Sequence, residues 1–204
     1  LFILKYFSSV RVFVNSFLPH YLDRISSEYK FKLIHISTDC VFAGKRKSYS
    51  EKNLSDVKDI YGLSKFIGEV KDTKNLTIRT SIIGHELNEK NGLVEWFLSQ
   101  KKVFGFKNVI YSGVTTNELS EILVQCIMRL DLKGLYQVSS KPISKYDLLK
   151  LIANIYKKNI KIKKNTSVRK KLVLNSTKFT KKTKYRVKSW VKQINIMKKE
   201  KYEN

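Results

Sequence analysis

Tyr61 and Lys65 stand four residues apart, a spacing that on a helix places a phenol and an ammonium one turn apart on one face. An ammonium so placed lowers a phenol's pKa from about 10 and makes the tyrosine a usable proton donor or acceptor near neutrality. The spacing by itself is weak, because with 11 Tyr and 34 Lys in 204 residues a second copy occurs at Tyr146 and Lys150. Context separates the two. Tyr61 opens a helix after a loop that follows a strand ending in Ser37-Thr38-Asp39, whereas Tyr146 sits inside a helix with no polar partner upstream. A hydroxyl at the carboxyl end of a parallel strand lies where open α/β sheets place ligand groups. Thr38 could hydrogen-bond a substrate oxygen while Tyr61 transfers its proton, a pairing suited to carbonyl reduction. Taken singly, Thr38 and Asp39 read as well as a capped turn.

The elements that would hold these residues follow from periodicity. Val12, Leu18, Tyr21, Leu22 and Ile25 recur at helical spacing, so roughly 8–29 is expected as a helix. Lys32-Leu-Ile-His-Ile-Ser37 reads as a strand, 38–59 as a long loop, 60–72 as a helix and 76–83 as a second strand that Gly84 ends. Strand, helix and strand with a buried apolar pattern argue for a parallel βαβ layer. Beyond it come a short helix at 93–99, two short strands around Gly105, a helical stripe from Leu119 to Leu130, a strand at 134–138, a helix at 143–156 and a closing helix from Ser189 to about Lys199. The expected fold is α/β: the distal part of a parallel sheet (1–83), then a smaller α/β carboxyl-terminal lobe (84–204) with some segments returning to the main domain.

Composition excludes several classes. With 42% hydrophobic residues, 8 Gly and 2 Pro, the chain is neither collagen-like nor wholly disordered. Cys40 and Cys126 make no disulfide framework and have no metal-ligand spacing, so a reducing compartment, the cytoplasm, and no metal site are expected. The opening Leu1-Phe2-Ile3-Leu4 run is too short for a membrane span. Of the net charge of +24, most falls in 151–204, with 18 basic residues against 2 acidic. These are mainly Lys scattered among Asn and Ile, which reads as a Lys-rich surface rather than a specific nucleic-acid site.

At this point the chain resembles a family. Val14-Asn15, His35-Ile-Ser-Thr-Asp-Cys-Val-Phe-Ala-Gly44, Tyr49-Ser-Glu51, Tyr61-Gly-Leu-Ser-Lys-Phe-Ile-Gly-Glu69 and Arg79-Thr-Ser-Ile-Ile-Gly84 resemble extended short-chain dehydrogenases/reductases, in the branch of dTDP-4-dehydrorhamnose reductase and related nucleotide-sugar reductases. Gly134-Leu-Tyr-Gln-Val-Ser-Ser140 and Ser189-Trp190 resemble that branch's substrate lobe. The resemblance implies a Rossmann-like sheet and reduction of a nucleotide-linked 4-keto-6-deoxy sugar by NADP or NAD cofactors, for surface polysaccharide precursors. Tyr61 would be the proton donor and would face the cofactor with Lys65, which would hold the nicotinamide ribose. Thr38 would orient the carbonyl, and Asn15 would support a proton relay. Asp39, Cys40, Arg79 and Ile82 would border the sugar. The implied partner is a nucleotide-sugar substrate, without membrane insertion, and a homodimer is allowed.

Two departures bear on the substrate. Cys40 stands where rhamnose-pathway reductases usually carry Tyr, and Ile82 where they usually carry Trp, which removes a stacking platform and makes 4-keto-6-deoxy amino sugars reasonable candidates. A larger departure is the lack of a Gly-x-x-Gly-x-x-Gly run: all eight glycines stand at 44 or later. Such a turn receives the dinucleotide pyrophosphate. The expectation is a reductase lacking its amino-terminal strands and Gly-rich loop, with the 204 residues alone inactive. A non-catalytic relative that binds or regulates is the alternative, followed by a binder of nucleic acid or anionic surfaces through residues 157–201.

Overall fold

The computed structural model describes residues 9–71, 74–86 and 92–202. The opening Leu1–Leu4 run, and the ends of the expected first and second helices at Ser8 and Asp72, lie outside the described residues. Residues 9–26 form one helical stretch, α1, whose middle, Phe13–Phe17, is π-wound and whose end, Leu18–Ser26, is α-helical. The chain then runs through β1 (Ile34–Thr38), a 3-10 turn (Asp39–Val41), α2 (Ile60–Ile67), β2 (Leu76–Thr80), β3 (Ile82–Ile83) and α3 (Leu93–Ser99). Next come β4 (Lys102–Phe106), β5 (Val109–Tyr111), β6 (Val114–Thr115), α4 (Thr116–Ile127) and β7 (Gly134–Gln137). The last elements are β8 (Ile143–Ser144), α5 (Lys145–Ile155), β9 (Lys161–Asn165), β10 (Lys170–Leu172), α6 (Thr177–Thr183) and α7 (Trp190–Tyr202).

The main sheet is Rossmann-like, with parallel strands in the order β1-β2-β7 and Thr38 level with Thr80 at its carboxyl end. Its core joins Leu76 and Ile78 to Val114, Leu119, Ile122, Leu132, Tyr136 and Phe179. A second core joins Val94, Phe97 and Val103 to Leu148, Ile152, Trp190 and Ile194. The expected strand over 76–83 is broken at Ser81, so that β2 stays in the main sheet while β3 pairs with β6. The two strands around Gly105 likewise part company: β4 pairs with β9, and β5 lies between β10 and β8. Helix starts follow local chemistry. Asp59 accepts the Gly62 N–H at 2.9 Å to start α2, Thr115 accepts from Glu118 to start α4, and Ser144 accepts from Asp147 to start α5.

Among the described residues the outer edge of β7 has no strand beside it, yet two of its backbone groups are satisfied. Lys178 Nζ donates to the Leu135 carbonyl at 2.6 Å, and the Gln137 N–H donates to Glu51 Oε1 at 3.0 Å. In a parallel ladder one residue of a neighbouring strand would supply both groups, so two side chains stand in for it. No helix among the described residues is long and apolar enough to cross a membrane.

Candidate active site

A cleft of about 390 Å³ opens at the carboxyl end of β1 and β2, and Asn15, Thr38, Cys40, Tyr61, Lys65 and Ile82 line it together with Ile36, Ser37, Thr80 and Ser81. Residues as far apart in sequence as Asn15 and Ile82 meet there because two close backbone approaches seat α2. A Cβ at Gly62 would lie 2.3 Å from the Cys40 carbonyl oxygen, and one at Gly68 would lie 1.8 Å from that of Asn15. Side chains at either position would push α2, and with it Tyr61 and Lys65, off the end of β1.

Thr38 is buried, and its Oγ1 accepts the Cys40 N–H at 3.1 Å. Tyr61 is 43% exposed at the cleft mouth. Its phenol pKa is raised by partial burial, against which the Thr38 hydroxyl pulls downward. This differs from the expectation that Lys65 would lower it. The Lys65 ammonium turns instead to the Ile36 carbonyl at 2.7 Å, an outward-facing group on the edge of β1 that pairs with no strand among the described residues, and burial lowers its pKa. Asn15 lies in the π-wound segment, where the extra residue per turn re-aims a side chain. Its Nδ2 donates to Ser64 Oγ at 3.1 Å, which ties α1 to α2 one residue before Lys65.

Two of the expected sugar-bordering residues lie elsewhere. Arg79 is 1% exposed and forms a two-point ion pair with Glu69, Nε to Oε1 at 2.6 Å and Nη2 to Oε2 at 2.7 Å, with its guanidinium 5.0 Å from the Phe42 ring centre. It sits mid-sheet facing the helix layer, so its charge is spent inside the core. Asp39 is 2% exposed, and Lys145 and Tyr111 are among the titratable groups that interact with it electrostatically. Thr38 and Cys40 line the cleft, whereas Asp39, the first residue of the 3-10 turn, is buried outside its lining. Burial raises the Asp39 carboxyl to about 6. Lys145 and Tyr111 carried no local sequence signal, since the first is one Lys among 34 and the second one Tyr among 11. Among the described residues no three His, Cys, Asp or Glu side chains gather as a metal site.

A proton donor, a neighbouring hydroxyl and an ammonium thus converge at the carboxyl end of a parallel sheet. Residues 8–201 match the family described as RmlD substrate binding domain. Among solved structures, the chain is similar to the dTDP-4-dehydrorhamnose reductase of Bacillus anthracis in complex with NADP, at 20% identity over 91% of this chain and 71% of that one, with a TM-score of 0.80. A hypothetical dTDP-4-dehydrorhamnose reductase from Sulfolobus tokodaii is 25% identical over 83% of this chain and 65% of that one, with a TM-score of 0.71. The Bordetella bronchiseptica enzyme WbmG, in complex with NAD and UDP, is 15% identical over 92% of this chain and 66% of that one, with a TM-score of 0.75. No curated protein matches the chain.

Proposed function

This chain belongs to the RmlD substrate binding domain family, and from that membership we propose that in its complete form it reduces the 4-keto group of a nucleotide-linked 6-deoxy sugar with NADPH or NADH. The observation that supports this most is the meeting of Thr38, Tyr61, Lys65 and Asn15 in one cleft at the carboxyl end of β1.

The nicotinamide end of the cofactor fits the residues present. The Lys65 ammonium stands on an outward-facing carbonyl at 2.7 Å, a bond that ribose hydroxyls can replace. The pyrophosphate end has no Gly-rich turn to receive it within the 204 residues. When bound, the cofactor supplies hydride to the carbonyl carbon. Tyr61 Oη gives its proton to the carbonyl oxygen, and its raised pKa keeps that proton in place at neutral pH. Thr38 Oγ1 fixes where the oxygen sits, and Asn15 holds α1 against α2 beside Lys65. Cys40 and Ile82 make the sugar wall small and aliphatic, which suits a hexose other than the rhamnose precursor, with 4-keto-6-deoxy amino sugars as the candidates.

A second reading, a relative that binds without turnover, is favoured by Lys65 being held on the protein's own backbone. Both are tested by following NADPH absorbance with the complete protein and nucleotide-linked 4-keto sugars. Sugar-dependent oxidation of NADPH supports the reductase; sugar binding without oxidation supports the second reading.

A further inference from the structure

A cavity of about 800 Å³ opens against the start and outer edge of β7, at the end of the main sheet opposite the cleft. Lys52 reaches it from the loop after β1, Lys71 and Lys74 from the segment between α2 and β2, Lys133 from the residue before β7, and Lys178 from α6. Among the described residues Glu51 is the only acidic side chain on its wall.

The protein itself does little to neutralise these charges. Glu51 Oε1 already accepts the Gln137 N–H at 3.0 Å. Lys74 Nζ donates to the Ser26 carbonyl at 2.9 Å and Lys178 Nζ to that of Leu135, bonds that orient an ammonium and leave its charge in place. Lys71 meets Glu69 Oε2 at 3.2 Å, an oxygen that also accepts from Arg79. Lys52 and Lys133 are exposed and have no partner among the described residues. The backbone adds a donor. The Gly134 and Val138 N–H groups turn to the β2 side, to the Asn75 and Arg79 carbonyls at 2.7 and 2.9 Å, whereas the Leu135 carbonyl and the Gln137 N–H face outward. The N–H and the carbonyl of one strand residue point the same way, so the Leu135 N–H also faces outward, on the cavity wall and with no partner among the described residues.

The wall also shows what it is not built to hold. Lysine binds phosphate as a flexible point charge, whereas planar recognition uses the arginine fork. Neither Arg nor an aromatic ring lies on the wall among the described residues, so a base has nothing to stack on. Leu135 is its one apolar side chain among those residues, too little to bury the apolar body of a small molecule. What fits is compact, polar and multiply anionic.

We propose that this cavity binds a compact polyphosphate anion, of the pyrophosphate or tripolyphosphate class, through the ammoniums of Lys52, Lys71 and Lys133 and the Leu135 N–H. The anion bridges the loop after β1 to the start of β7 and relieves the repulsion among ammoniums that no carboxylate of the wall neutralises. The site stands at the far end of the strands from Tyr61 and does not rest on the reductase reading.

The test is a nitrogen-15 NMR titration of the full chain with sodium tripolyphosphate at about 150 mM salt, where diffuse attraction is screened. The Leu135 amide should shift and saturate with a Kd of about 1 mM or tighter. Lys52→Gln with Lys133→Gln removes two ammoniums without breaking a contact and should weaken binding roughly tenfold. Lys163→Gln with Lys164→Gln, on exposed positions of β9, should leave it unchanged. A Leu135 amide that does not move, or equal weakening by the two pairs of substitutions, overturns the site in favour of a diffuse lysine surface. Saturation by a hexaglutamate peptide or a short single-stranded DNA as tight as that by tripolyphosphate overturns the ligand class.

Discussion

At the β7 edge of the main sheet, Lys178 and Glu51 supply the donor and the acceptor that a neighbouring strand would offer. The β1 edge is finished otherwise. Lys65 alone of the cleft side chains reaches its backbone, at Ile36, and α1 beside it turns aromatic residues outward: Phe13 is 54% exposed, Phe17 56% and Tyr21 48%. Their rings stack on one another, at 5.2 Å and 6.0 Å between centres, while the small residues Ser16, Pro19 and Ser26 face inward. One edge is capped by the chain's own side chains, and among the described residues the other has no strand paired to it and lies on the side of the exposed aromatic residues of α1. The open edge is also the one that borders Lys65, the residue proposed to hold the cofactor.

The largest effect that sharpens this contrast is on cofactor binding. With the β1 edge open and no Gly-rich turn, the 204 residues should bind NADPH or NADH no more tightly than about 1 mM in a fluorescence titration. Tighter binding would mean that another part of the chain holds the pyrophosphate, and the two edges would not differ in the way described.

The next effect arises at the end of β1. Asp39 has its carboxyl raised from 3.8 to about 6, so between those values the folded state holds more proton than the unfolded state. Stability should therefore be full below about 4 and fall by roughly 2–3 kcal/mol as pH rises through 6. Asp39→Asn should flatten that part of the curve in urea unfolding from pH 4 to pH 7. A wild-type curve that is already flat across this window would contradict the burial assigned to the carboxylate.

The smallest effect compares the edges directly. Lys178→Met and Glu51→Ala each leave a backbone group of β7 without its partner and should cost about 1 kcal/mol. Lys65→Met should cost less, because water can reach the Ile36 carbonyl at an open edge. Equal losses at both edges would break the comparison.

Much of the site could be read before the fold was known, for local reasons. Thr38, Tyr61 and Lys65 lie on elements whose apolar periodicity is strong, and Cys40, Ile82 and Asn15 fall within the same runs. Position near the strand ends suggests a sugar-facing role for Arg79 and Asp39, but burial decides otherwise: Glu69 holds Arg79 in the core, and Asp39 is buried outside the cleft lining. The charge of Lys145 acts on Asp39 across 106 positions of sequence, which no local pattern reports. The strands β9 and β10 were also invisible. Lys161–Asn165 and Lys170–Leu172 are mostly exposed, so they carry Lys where a buried strand would carry Val or Ile. The π-wound turn around Asn15 has no residue signature at all and arises where α1 packs on Ser64 and Gly68.

The central claim is that Tyr61, and not its sequence look-alike Tyr146, delivers the proton. Tyr146 stands on α5 against Gly105, with Lys107 and Lys150 near its ring and none of the cleft residues beside it. The direct measurement is kcat for the complete protein carrying Tyr61→Phe or Tyr146→Phe, each keeping its ring. Tyr61→Phe should lower kcat by about 10²-fold or more with little change in KM, while Tyr146→Phe should leave it near wild type. Full activity in Tyr61→Phe would contradict the assignment.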